Sequence, residues 1–347
     1  MRRAFIIFVL TGVALAVAAL LLYRYAVSYP DRPLGEPGAR VEVVIPHGSN
    51  FQKVVRILEE RGLIDNGAAF RVFANYKGLA SRVRAGTYRL SPDVTPRKLL
   101  DILVHGVPAP TVTVTLPEGK NMLQVADLLA ARQIADRDRL VEAMRDRRFL
   151  HRIGVRARTI EGYLFPDTYK FKAFTPAREV LEHLVRRHKR VYVAIRSRHG
   201  EALAQLRKKL RWGHHEIVTL ASIVEKETGQ KHERPLIAGV FLNRLTFGWF
   251  QPKLLQTDPT IIYGCTVPVH KSRACQKFEG RIRRIHLDDE DNPYNTYQHA
   301  GLPPGPIANP GRAAIEAVFA PKKSRYLFFV SRNDGTHKFS ATRAEHY

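Results

Sequence analysis

The first pattern along the chain is a run without alternation. Ala4 to Tyr23 is twenty residues with no charge, long enough to cross a bilayer as a helix. Arg2 and Arg3 precede it and Arg24 follows. A short basic N-terminus tends to stay inside, which would leave the body outside. A cleaved signal peptide, cut after Ala16-Val-Ala18, is the alternative. The apolar run continues through Leu20, Leu21 and Leu22 and so favours an uncleaved anchor over residues 1–27. Pro30, Pro33, Gly35, Pro37 and Gly38 then predict a linker over 28–40.

Beyond the linker the pattern repeats itself. Val41-Glu-Val-Val-Ile-Pro-His-Gly-Ser-Asn50 is echoed by Val112-Thr-Val-Thr-Leu-Pro-Glu-Gly-Lys-Asn121. Val54, Leu58, Arg61 and Asp65 match Val125, Leu129, Arg132 and Asp136 at the same offset. Each copy predicts a short strand, a Pro-x-Gly turn and an amphipathic helix. Two copies are too few for a solenoid. They predict two small α+β modules, over 41–110 and 111–158. Either they bind a polymer or they space the rest of the chain from the membrane.

From about Ile160 the texture changes. Residues 177–211 predict a long helical stretch with an apolar stripe of Val180, Leu181, Leu184 and Val185. Ile217–Thr228 reads as a central helix, almost wholly apolar over Ile217–Val224, and Glu233–Leu245 as another, stopped by Gly248. Loops rich in Asn, Thr, Tyr and Gly follow, and Tyr326-Leu-Phe-Phe-Val330 reads as a closing strand. Loops of that composition suit a carbohydrate, because Tyr rings stack on sugar faces and amides pair with hydroxyls. They are equally ordinary turns.

Composition changes the picture in two ways. The 347 residues suggest two or three domains, and the net charge of +24 draws anionic polymers or membranes. A nucleic-acid binder is therefore a rival reading, although the basic residues are scattered and form no recognisable nucleic-acid motif. Cys265 and Cys275 are the only cysteines. An extracytoplasmic body permits one bridge between them, and two free thiols remain the alternative. No metal-ligand spacing stands out, and no cofactor is implied.

The candidate chemistry sits at the end of the central helix. Glu225 and Glu227 close the apolar run, and a partly desolvated carboxyl there should hold its proton to higher pH. That is what a general acid needs. A solvated helix end is the plain alternative. The two acids are two positions apart, roughly 200° around the axis, so only one faces a given cleft.

Several ordered motifs then converge on one family: Glu161-Gly-Tyr-Leu-Phe-Pro-Asp-Thr-Tyr169, Ala221-Ser-Ile-Val-Glu-Lys-Glu-Thr228, Asn243-Arg-Leu245, Leu255-Gln-Thr-Asp-Pro-Thr260 with Tyr263-Gly264, Tyr294-Asn-Thr-Tyr297, Gly301-Leu-Pro-Pro-Gly-Pro-Ile307 and Tyr326-Leu-Phe-Phe-Val330. The chain resembles the YceG-like family of membrane-anchored endolytic murein transglycosylases. The resemblance implies an α+β fold: an N-terminal transmembrane helix, two small LysM-like α+β modules and a mixed, helix-cored catalytic domain over 159–347. It implies a lyase that cleaves the MurNAc–GlcNAc bond within peptidoglycan strands and leaves 1,6-anhydroMurNAc ends.

By the same resemblance Glu225 is the catalytic acid, then base. Glu227, Glu161 and Asp258 are candidates for support, and Gln256, Tyr294, Asn295 and Tyr297 for sugar contacts. The implied place is the inner membrane of a two-membrane bacterium, single-pass, with a periplasmic body. Implied partners are glycan strands, the membrane through residues 4–23, and peptidoglycan synthases whose strands it would terminate. No specific nucleic acid is implied. No family motif falls between Gly264 and Pro293. A hydrolytic muramidase and a murein-binding scaffold stay open as alternatives.

Overall fold

The structure is a computed structural model that describes residues 2–46, 48–106 and 111–346, with side chains from residue 10 onward. His47 of the first Pro-x-Gly turn, the expected module boundary at residue 110 and the C-terminal Tyr347 lie outside the described residues. The chain forms two compact units, residues 1–109 and 110–347.

The first unit begins with helix α1 (Arg2–Ser28); the span Leu10–Asp31, most of it in α1, is apolar and long enough to cross a membrane. Strand β1 (Val41–Ile45), helices α2 (Phe51–Glu60) and α3 (Gly67–Tyr76), strand β2 (Gly86–Leu90) and helix α4 (Pro96–His105) follow. β1 and β2 pair antiparallel, with Val43 opposite Tyr88, and both side chains are fully buried. α2 starts where the Asn50 side chain accepts from the Lys53 N–H at 2.8 Å. Its buried face, Val54, Val55 and Leu58, closes one core with Phe70, Leu99 and Leu103.

The first half of the stretch 28–40, expected as a linker, is tied down from Tyr29 to Leu34, whereas residues 35–40 are exposed. Tyr29 is only 4% exposed and belongs to this core. Asp31 takes two hydrogen bonds from Arg97, at 2.6 and 2.8 Å. The Leu34 N–H donates to the Val94 carbonyl at 3.3 Å.

The second unit opens with β3 (Thr111–Thr115) and α5 (Met122–Ala131), capped reciprocally by Asn121 and Gln124. Here the structure departs from the expected pair of separate modules. β3 has no partner strand within 111–158 and pairs instead with β4 (Thr168–Lys172), Val114 opposite Tyr169. A strand with unpaired backbone groups needs such a neighbour. α5 buries Val125, Ala126 and Leu129 in the core that the rest of the unit shares. Short helices α6 (Arg137–Ala143) and α7 (Arg147–Arg152) complete this segment.

The long helical stretch is broken at His199 into α8 (Ala177–Arg198) and α9 (Gly200–Leu210). Helix α10 (His214–Glu227) runs through the middle of the core, with Ile217 to Val224 all buried. At roughly 1.5–3 kcal/mol for each large apolar side chain, burial fixes this helix more firmly than propensity does. α11 (Arg234–Thr246), α12 (Asp258–Thr266), two short helices α13 (Arg273–Gln276) and α14 (Arg284–Leu287), and α15 (Arg312–Phe319) follow, and α11, α12 and α15 pack against α10. A hairpin of β5 (Phe328–Ser331) and β6 (His337–Ser340) comes after α15. Cys265 and Cys275 are joined in a disulfide under the 264–293 loops, beside the buried Ile261.

Candidate active site

α10 delivers Glu225 in its last turn with its side chain only 5% exposed. One carboxylate oxygen accepts from Arg234 Nη2 at 2.6 Å, and the other from the Gly311 N–H at 2.9 Å. Burial raises the carboxyl above its usual range, and the nearby Glu118 adds to the rise. The Gly311 N–H, Arg234 and Lys226 oppose it without cancelling it. The negative end of a helix dipole at this position also disfavours the charged form.

Two glycines border this arrangement. Gly119 has φ +75° and a Cβ there would sit 3.6 Å from Glu225 Cγ, so the turn needs a residue at ease in the left-handed region. A side chain at Gly311 would displace the Glu118 carboxyl from its place beside Arg234.

Glu118 comes from the second Pro-x-Gly turn, with its side chain 40% exposed, and it accepts from the same Arg234 nitrogen at 3.2 Å. Arg234 is 4% exposed, and its Nε and Nη1 have no hydrogen-bond partner. One buried guanidinium nitrogen thus bridges two carboxylates. Neither Glu118 nor Arg234 was singled out from sequence. A signal did exist for Glu118: it stands where the first copy of the repeat has His47. Arg234 is a cation at the start of an apolar helix, and nothing in its spacing names its partner.

Glu227 points to another set of neighbours. It accepts from the Thr257 hydroxyl. Burial raises its carboxyl, with Asp258 adding to the rise and Thr257, His337 and Arg244 opposing it. Asp258 in turn accepts from the Tyr297 hydroxyl at 2.7 Å. Gln256 is exposed nearby at φ +52°, its N–H on the Thr296 carbonyl at 3.0 Å. Glu227, Asp258, Gln256 and Tyr297 therefore gather apart from Glu225, as their angular separation on α10 requires.

Asn295 is the one candidate sugar ligand that the structure assigns to bracing. It is fully buried, and its amide donates to the carbonyls of His286, Leu287 and Asp289 at 3.1, 3.0 and 2.8 Å. Its oxygen accepts from the Tyr297 N–H at 3.0 Å. At 0% exposure it is out of a sugar's reach. Tyr294 is half-buried and lines a 380 Å³ cavity with Tyr263, His215, Arg145, Arg158 and Met122. Neither Glu225 nor Glu227 lines that cavity.

Glu161 lies on the Glu225 side and is 2% exposed. It accepts from the Met122 N–H at 2.9 Å and from Asn309 Nδ2 at 3.1 Å. Asn309 also donates to the Lys120 carbonyl at 2.9 Å, so this clip holds the 118–122 segment that carries Glu118 and Gly119. Burial pushes the Glu161 carboxyl up to about 8, against the Met122 N–H and the Tyr263 hydroxyl.

The consequence is measurable. The folded protein keeps this proton to about pH 8, whereas the unfolded chain releases it near its ordinary 4.5. Between those values the folded state binds more protons, so stability falls as pH rises through the window. Thermal unfolding of the protein and of Glu161→Gln at about pH 5 and about pH 8 should show this fall in the first and a flatter response in the second. Equal slopes would remove the assignment. Among the described residues no group of three or more His, Cys, Asp or Glu is arranged to hold a metal.

Comparison with known proteins places the chain. The model of the YceG-like family matches residues 43–347. An endolytic murein transglycosylase of Bacillus subtilis (strain 168) is 30% identical over 321 residues, covering 88% of this chain and 82% of that protein. An endolytic murein transglycosylase of Streptococcus pneumoniae is 30% identical over 325 residues, 84% of this chain but 54% of the relative. The chain thus spans about half the pneumococcal protein's length. The crystal structure of a yceG-like protein from Listeria monocytogenes superposes with a TM-score of 0.55 at 29% identity, covering 90% of this chain and 99% of that one.

Proposed function

Because the chain belongs to the YceG-like family, we propose that it is an endolytic peptidoglycan lytic transglycosylase with Glu225 as its acid and base. The observation that carries this reading is the buried carboxyl of Glu225, raised by burial and held between the Gly311 N–H and Arg234. Protonated Glu225 gives its proton to the oxygen between MurNAc and the next sugar. The C1–O bond breaks through an oxocarbenium-like transition state, and the leaving sugar departs as an alcohol. Glu225, now a carboxylate, takes the proton of the muramic C6 hydroxyl as that oxygen closes on C1. The proton lost in the first step is regained in the second, and the product ends in 1,6-anhydroMurNAc. The substrate supplies the nucleophile, so neither an enzyme nucleophile nor an activated water is needed.

Arg234 and Glu118 fit this cycle as positioning residues. Between the two proton transfers Glu225 is an anion, and Arg234 stabilises it. When Glu225 carries its proton, Arg234 has Glu118 as its remaining counter-charge. We read α1 as an uncleaved anchor with the body outside the cytoplasmic membrane, and the first unit as LysM-like. Ending nascent strands beside peptidoglycan synthases is the role this would serve.

The test is product analysis. The full chain in detergent is incubated with purified peptidoglycan and the fragments are read by mass spectrometry. Anhydromuramic ends released from within strands are the expected result. Reducing ends would overturn the lyase reading in favour of a hydrolase. Binding without any cleavage would favour a scaffold.

A further inference from the structure

The first unit carries an apolar surface that its own core does not use. α3 buries Phe70, Phe73 and Ala74. Its opposite stripe, Ala68, Val72 and Tyr76, is exposed, Val72 by 70% and Tyr76 by 83%. These three are four residues apart and form one line along the helix. A surface helix of a soluble unit normally carries polar residues there.

This stripe faces the end of α1. A cleft of 780 Å³ lies between the two helices, with Leu22, Ala26 and Val27 on one wall and Ala69, Val72 and Tyr76 on the other. Lys77 and Arg97 also line it. At one end of the cleft the two helices are joined by hydrogen bonds. The Tyr29 hydroxyl donates to the Asn66 carbonyl at 3.2 Å, and Asn66 Nδ2 donates to the Tyr25 hydroxyl at 3.3 Å. Asn66 is also the N-cap of α3, so the same residue starts α3 and ties it to α1.

We propose that this cleft and stripe seat the first unit on the lipid surface that α1 enters, with a phospholipid filling the cleft. The inference rests on reading α1 as a membrane anchor. The occupant follows from position: the apolar run of α1 ends beside α3, so the medium around one borders the other. The chemistry agrees. Tyr23, Tyr25 and Tyr76 are rings of the kind that collect at the membrane–water boundary. Lys77 offers a cation to a lipid phosphate. Arg97 is already shared with Asp31, and so serves chiefly to hold the site. Seated in this way, the first unit is a footing on the bilayer and not a body on a free tether.

The experiment uses the full chain in vesicles of phosphatidylethanolamine and phosphatidylglycerol. Its two native cysteines are bridged, so a thiol introduced by Val72→Cys takes a polarity-sensitive fluorophore selectively. Val44→Cys, on β1 and 54% exposed, is the reference site. At position 72 the emission should move to shorter wavelength and be quenched by lipids carrying a nitroxide at the headgroup, with neither effect at 44. An alkaline carbonate wash separates the failures. A chain released by the wash overturns the anchor reading and this proposal together. A retained chain whose two labels behave alike overturns this proposal alone.

Discussion

Replacing Glu225 by Gln is expected to lower kcat on peptidoglycan by about a thousandfold, in the middle of the range for loss of a general acid. The substituted amide would keep one acceptor for Arg234 or the Gly311 N–H but has no proton to transfer. KM should change little, because the lost interaction belongs to the transition state. Glu227→Gln is the matched control. Its carboxyl is also buried and raised, so a raised carboxyl alone does not pick the acid. Glu227 accepts from Thr257 and lies beside Asp258, away from the Gly311 N–H and Arg234. Its change should leave the turnover of the folded protein within a few-fold of the unchanged chain, because Gln keeps an acceptor for the Thr257 hydroxyl. The reverse outcome, with Glu225→Gln active and Glu227→Gln dead, would move the chemistry to the Thr257–Asp258–Tyr297 side.

The sequence made that choice legible only in part. The apolar run 217–224 predicts a buried helix, and the helix places both acids at its end about 200° apart. What surrounds each acid comes from chain segments that spacing cannot bring together. Gly311 follows Glu225 by 86 residues and Glu118 precedes Arg234 by 116. The repeat was visible as two strand–turn–helix copies, and each does form a ten-residue helix capped by Asn. Its meaning was not visible, because self-containment depends on where the partner strand lies. β1 finds β2 within its own copy, whereas β3 finds β4 beyond the expected boundary at 158. Asn295 was open between sugar contact and bracing for a related reason: an amide in a loop looks the same either way until its three carbonyl partners are known. Proline and glycine spacing likewise marked 28–40 as irregular but carried no record of Tyr29 entering the core.

The second large effect concerns the guanidinium that two carboxylates share. A group that must be protonated to act loses activity as pH rises through its pKa, so with Glu225 as the proposed acid the alkaline limb of kcat/KM should report it in the free protein. Arg234 stabilises the Glu225 anion and lowers that pKa, whereas the Glu118 charge raises it. Glu118→Gln should therefore move the alkaline limb to lower pH, and Arg234→Gln should move it to higher pH. A merely structural role for either residue would scale the whole profile without displacing it. Arg234→Gln carries a second signature. It leaves Glu225, whose side chain is 5% exposed, without its cation, and breaking a buried pair in this way costs about 3–5 kcal/mol. Its melting temperature should fall well below that of Glu118→Gln, whose side chain is 40% exposed. Profiles measured on the full chain below each variant's own unfolding temperature separate the two effects. Limbs displaced in the same direction by both substitutions would show that Arg234 does not mediate between the two carboxylates.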